Sequence, residues 1–225
     1  MHHTSAQTHA FIHTLRERIA SVPHIKHTAL WVTPPFTSIF AVADAARGAR
    51  VMVGAQNMHR ADEGAFTGEI SPLMLKACRA EFVMLGHAER CTLFGESNEA
   101  LNRKALAAAR HGLGVMLYEG EPVSIQQVGA GSVAADLDYV SVAFENIRRV
   151  LHELFGAASA SMPILYGGSI DATNCARHAC LPQAVGMGIG RAACCTVDGF
   201  VAVLTNVLAV WMTFHHESAE HAKLS

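Results

Sequence analysis

Charge is scarce in this chain of 225 residues: Lys and Arg total 17, Asp and Glu total 19, and together they make up 16% of the sequence. The formal balance of -2 leaves no broad basic surface. Neither a nucleic acid nor a membrane is therefore expected as a partner, and any anion site must be local. No apolar run approaches the roughly 18 residues of a membrane span. The opening stretch MHHTSAQTHAFIHTL lacks both a basic segment and a continuous apolar one, so it does not read as a secretory signal. The six cysteines (Cys78, Cys91, Cys175, Cys180, Cys194, Cys195) match neither a zinc motif nor a secreted disulfide scaffold, and are expected as reduced thiols of a cytoplasmic protein. Fourteen histidines occur without an HExxH pattern, and four of them (His2, His3, His215, His216) lie near the chain ends. Solvated histidines are the plainer reading; no metal and no cofactor is expected.

What is present is apolar. Hydrophobic residues reach 51%, enough for a sizeable core. Apolar, β-branched runs alternate with helix-period stretches from residue 4 to residue 212, the rhythm of a parallel sheet with crossover helices. Strands are expected at 28–33 (TALWVT), 50–54 (RVMVG), 82–85 (FVML), 114–118 (GVMLY), 139–143 (YVSVA), 162–165 (MPIL) and 184–187 (AVGM). Helices are expected over 5–21, 36–46, 72–78, 97–111, 147–155, 171–180 and 197–211, with Ser71 and Pro72 as an N-cap and first-turn pair. Nothing in the composition marks a linker. Residues 1–225 are expected to form one domain, with 213–225 as a frayed polar tail.

Three groups of residues suggest chemistry. His87 lies in GHAER, directly after FVML, and the end of a barrel strand is where such folds place reacting groups. Among thirteen other histidines it has an equally plain structural reading. Glu145 follows YVSVAF, where partial burial at a strand end suits a general base; the competing reading is an acid favoured near the start of a helix. YGGS at 166–169 and GMGIG at 186–190 each join a strand to a helix. Such glycine turns let backbone N–H groups approach an oxyanion such as phosphate. Arg191 stands where a dinucleotide fingerprint requires glycine, which argues against a Rossmann site.

Taken together, the run 54–76 (GAQNMHRADEGAFTGEISPLMLK), GHAER, FGES at 94–97, Phe144-Glu145 and YGGS resemble the triosephosphate isomerase family, in order and spacing over 34–111 and 162–200. The resemblance implies a TIM (β/α)8 barrel and proton transfer between carbons of a small phosphorylated ketose or aldose. His87 would polarise the carbonyl, Glu145 would carry the proton, and Glu89 would support the site; this family is itself a standard example of pKa tuning. Gly168, Ser169 and Gly190 would hold the substrate phosphate through backbone N–H groups. Residues 64–69 match the loop that enters a partner subunit, with Thr67 near the neighbour's site and Gln56 and Asn57 at its base, which implies a homodimer.

Departures from the family pattern carry expectations of their own. Met1 aligns just after the lysine that ends the family's first strand, so an incomplete barrel is expected, lacking that strand and its cation. Twenty residues separate Glu145 from Tyr166, which a helix and a short strand fill, so no Gly-rich lid is expected there. The stretch 121–138 is short as well, and the fifth and sixth βα units are expected to be shortened. Ala88 stands where the family usually has serine. NMHxAD, SPLMLKxC, Asn174-Cys175 and IGRxA resemble the branch acting on L-erythrulose 1-phosphate. The expected activity is aldose–ketose isomerisation of a sugar phosphate, at a low rate, with a non-catalytic barrel or interaction protein as the alternative.

Overall fold

A computed structural model describes residues 3–119, 135–190 and 196–224, with side chains described as far as residue 213. Its contacts gather into two compact units: Met1–Glu17 with Thr28–Val128, and Arg18–His27 with Gly129–Ser225. No helix among the described residues is long and apolar enough to cross a membrane.

The first unit opens with helix α1 (Ser5–Ile19). Its start is a capping box: the Gln7 N–H donates to Thr4 Oγ1 at 3.3 Å, and Gln7 Oε1 accepts from the Thr4 N–H at 2.9 Å. Four parallel strands follow, β1 (Leu30–Val32), β2 (Val51–Ala55), β3 (Phe82–Leu85) and β4 (Gly114–Leu117). They pair in chain order β1-β2-β3-β4, with Leu30 opposite Val51, Gly54 opposite Phe82 and Phe82 opposite Gly114. Each crossover carries a helix, namely α2 (Ile39–Ala45), α3 (Pro72–Ala77), then α4 (Ala88–Phe94) and α5 (Asn98–Arg110). Ser71 caps α3 by accepting the Met74 N–H at 3.2 Å, with Pro72 in the first turn as expected. Val53, Ala55, Val83 and Leu85 are buried in the sheet, so the β-branched runs do what their composition requires.

The second unit contains α6 (Leu137–Phe155), β5 (Tyr166–Gly167), α7 (Cys175–Ala179), β6 (Met187–Gly188) and α8 (Val197–Leu224). Strands β5 and β6 are parallel, with Tyr166 opposite Met187 and Gly167 opposite Gly188. The preceding residues extend the pairing: the Val185 N–H donates to Ile164 O at 3.1 Å and the Tyr166 N–H to Gly186 O at 3.0 Å. Val140, Phe144, Ile164, Ile170, Val203 and Val207 form the core of this unit.

The structure overturns one expected strand, 139–143, and shifts two others toward the C-terminus, from 162–165 to β5 at Tyr166–Gly167 and from 184–187 to β6 at Met187–Gly188. Residues 139–143, expected extended, lie inside α6. Val140 and Phe144 are buried, and Ile147 and Leu151 pack beside them. These positions are spaced by four, three and four residues, the helical period, and they outweigh the short alternation in YVSVA. Asp136 caps the helix by accepting the Asp138 N–H at 2.9 Å. The sixth βα unit is therefore altered in kind. Part of the expected fifth unit, 120–134, lies outside the described residues. Two further differences are α4, a helix that the sequence reading did not assign, and α8, which runs to Leu224 through residues expected to fray.

Candidate active site

Gly86 turns the chain out of β3 with φ +78°, and a Cβ there would meet the Tyr118 carbonyl oxygen at 2.8 Å. Only glycine fits that bend. The next residue, His87, is the N-cap of α4, and its Nδ1 accepts the Glu89 N–H at 3.4 Å. An acceptor at Nδ1 corresponds to the neutral tautomer with the proton on Nε2, which leaves Nε2–H free to donate to a carbonyl. The Glu89 carboxylate lies 4.0 Å from Nδ1 and is largely exposed, so the backbone N–H is the nearer partner. The His87 ring is about one-third exposed and stands 5.3 Å from the Tyr118 ring, centroid to centroid. Burial pushes the Tyr118 hydroxyl above its usual range.

Beside this turn lies an ionic cluster. The Glu96 carboxylate contacts Lys104 Nζ and lies 3.3 Å from Arg90 Nε, while Lys104 Nζ donates to Asn57 Oδ1 at 2.9 Å. Asn57 lies at the exit of β2, where it accepts from Lys104 on α5. Gln56 donates through Nε2 to Thr33 O at 2.8 Å and ties the exits of β1 and β2 together.

Residues 62–69 project as an exposed loop, closed at its base by the His59 N–H to Ile70 O at 2.8 Å. Thr67 lies within this loop, exposed. Phe66, 43% exposed, packs its ring 4.2 Å from that of His59.

In the second unit the parallel pairing of β5 with β6 brings the two glycine turns side by side. Gly168 and Ser169 follow β5, and Ile189 and Gly190 follow β6. Ser169 takes a left-handed φ of +41°, a strained position for a residue with a Cβ, and strain of this kind clusters at ligand sites. Its carbonyl accepts from Asn174 Nδ2 at 2.9 Å. Asp171 accepts the Thr173 N–H at 2.7 Å, the Thr173 hydroxyl at 2.6 Å and the Asn174 N–H at 3.2 Å, contacts that hold its carboxyl below the usual range. Nothing lies within 4 Å of a Cβ built at Gly190. The expected helix directly after YGGS is displaced, since α7 begins only at Cys175, so Gly168 and Ser169 offer backbone N–H groups without an adjoining helix end. Arg191, Cys194 and Cys195 lie outside the described residues.

Glu145 departs most from expectation. It lies within α6, exposed, immediately after buried Phe144, so the strand-end carboxylate read from the sequence is instead a solvent-facing helical one. From Asn146 the helix continues to Phe155, and residues 156–161 form a 3-10 helix, leaving only residues 162–165, which belong to no regular element, before β5. Sequence reasoning missed Lys104 and Tyr118, and gave Glu96 no role of its own. Lys104 had a visible signal: it shares the buried stripe of α5 with Leu101, Ala107 and Ala108, where an unpaired charge is costly. Asp136 followed by the 140/144/147/151 spacing was an equally legible sign of α6.

The family model for triosephosphate isomerase matches residues 1–132 and 120–207. The L-erythrulose-1-phosphate isomerase of Brucella abortus biovar 1 is 34% identical over 242 residues, covering 91% of this chain and 92% of that protein. The triosephosphate isomerase of Synechococcus sp. is 33% identical over 220 residues, covering 85% and 88%. The crystal structure of triosephosphate isomerase from Bartonella henselae aligns with a TM-score of 0.80 at 24% identity, covering 92% of this chain and 95% of that one, which shows a TIM-barrel fold. A family match along most of the chain, relatives above 30% identity over nearly full length and this common fold agree: the chain belongs to the triosephosphate isomerase family.

Proposed function

We propose that this protein, acting as one barrel domain over residues 1–225, interconverts the aldose and ketose forms of a small sugar phosphate. The observation that carries the reading is the His87 geometry: a neutral imidazole with Nδ1 on a backbone N–H keeps Nε2–H for the substrate carbonyl. Adjacent turns at Gly168, Ser169 and Gly190 suit the phosphate. Glu145 is the proposed base, with Glu89 in support. Proton abstraction needs a carboxylate within about 3 Å of the carbon acid, directly or through one water. Slow turnover is the proposed outcome, with Glu145 exposed on α6 rather than at a strand end.

Glyceraldehyde 3-phosphate and dihydroxyacetone phosphate are the proposed pair. L-erythrulose 1-phosphate is the second reading, favoured by Asn174-Cys175 and by relatives of that name at 34% identity, a margin of one percentage point over the 33% triosephosphate isomerase. The exposed 62–69 loop with Thr67 supports a homodimer, and a glycolytic role in the cytoplasm follows from the three-carbon reading. The purified protein, assayed with both substrates beside His87→Gln, tests the proposal. Slow turnover of one substrate, abolished in the variant, is expected. Equal rates for protein and variant, with no saturable binding of inorganic phosphate, would favour a non-catalytic barrel or interaction protein instead.

A further inference from the structure

Between α4 and α5, two cations share one carboxylate. The side chain of Glu96 is 5% exposed, that of Lys104 11% and that of Arg90 30%. Taking such charges out of water is costly, and an apolar replacement often does as well for stability, so stability alone is a weak reason for the cluster. Its connections suggest another. Gly95, left-handed with φ 63°, ends α4 and turns the chain back so that the Glu96 N–H donates to Arg90 O at 3.3 Å while the carboxylate meets the Arg90 side chain. The Arg90 N–H in turn donates to His87 O at 2.8 Å. From the other side, Lys104 joins Glu96 to Asn57, which is buried at the exit of β2. The first turn of α4 is thereby clamped to both α5 and β2.

We propose that Glu96, Lys104 and Arg90 are positioning residues: they hold the first turn of α4 so that His87 keeps Nδ1 as acceptor and Nε2 as donor. This rests on the reading of His87 as the carbonyl-polarising group. None of the three needs to touch substrate. Loosening the turn frees the ring to rotate or exchange tautomers, and small displacements of a catalytic group cost on the order of 100-fold in rate.

The test is imidazole nitrogen NMR of the full chain, with the His87 signals assigned by their loss in His87→Gln, run beside steady-state kinetics. The double variant Glu96→Gln/Lys104→Met removes the carboxylate and its deepest cation together, leaving Arg90 near solvent. It is expected to fold, to shift the His87 Nδ1 signal toward tautomeric averaging, and to lower kcat about 10 to 100-fold at unchanged KM. Lys104→Arg, which keeps the cation, is expected to retain the parental His87 signals. A folded double variant whose His87 signals and kcat stay within about twofold of the parent overturns the proposal, even if its melting temperature falls. Should the double variant not fold, Glu96→Asp decides by the same signals: its shorter carboxylate cannot reach both cations, so a shift supports the proposal and no shift overturns it. If the parent shows no turnover, the isomerase reading fails, and the NMR comparison decides the positioning role alone.

Discussion

Gly86→Ala is the sharpest test of how the chain delivers His87. The new Cβ meets the Tyr118 carbonyl oxygen at 2.8 Å, and that backbone has little freedom, because the Tyr118 N–H donates to Leu85 O at 2.8 Å. A left-handed φ costs a residue with a Cβ about 1–2 kcal/mol. The collision adds about 1–3 kcal/mol, as overpacking generally does. The loss of chain freedom in the unfolded state returns about 0.4–1 kcal/mol. The expected net loss is about 1–4.5 kcal/mol, a fall in Tm on the order of 2 to 18 °C for a chain of this size. Gly48 supplies a matched control, since its φ is +77° and nothing lies within 4 Å of its Cβ. Gly48→Ala carries the backbone cost without the collision, and is expected to lose about 0–1.5 kcal/mol. Denaturant melts of both variants measure the difference. Equal stabilities for the two would falsify the close approach of Gly86 to Tyr118, and with it the account of why glycine precedes His87.

Phe144→Ala removes a buried ring from the core of the second unit and is expected to cost about 3–5 kcal/mol by denaturant melt; a loss below about 1 kcal/mol contradicts the inward face assigned to α6. Its neighbour Glu145 is exposed, so Glu145→Ala is expected to change stability by no more than about 0.5 kcal/mol, and a large loss in the same assay argues against the helical placement. Burial raises the Tyr118 hydroxyl above about 10 and the Cys175 thiol above about 9. A raised folded-state value stabilises fully below the unfolded one and is lost as pH climbs through the folded one. Stability is therefore expected to decline from about pH 9 upward, less steeply in Cys175→Ala, and a flat denaturant midpoint from pH 8 to 11 refutes this.

In the first unit, apolar β-branched strands separated by helical stretches sufficed to locate β1 to β4, because strand and helix periods are local properties of the chain. Ser71 with Pro72 marked the start of α3 for the same reason, and GHAER marked the end of β3, whereas YGGS and GMGIG contain the short strands β5 and β6 themselves. The helix at residues 137–155 is also written in the chain, but over a longer span than YVSVA: alternation over five residues cannot outweigh a helical stripe that continues to Leu151. What needed the tertiary structure was pairing between distant residues. Lys104 and Asn57 stand 47 positions apart, and nothing local tells a lysine on an apolar face that a carboxamide and a carboxylate await it. Likewise, the sequence placed a carboxylate at position 145, whereas its exposure on α6 was decided by which neighbours Val140 and Phe144 found to bury them.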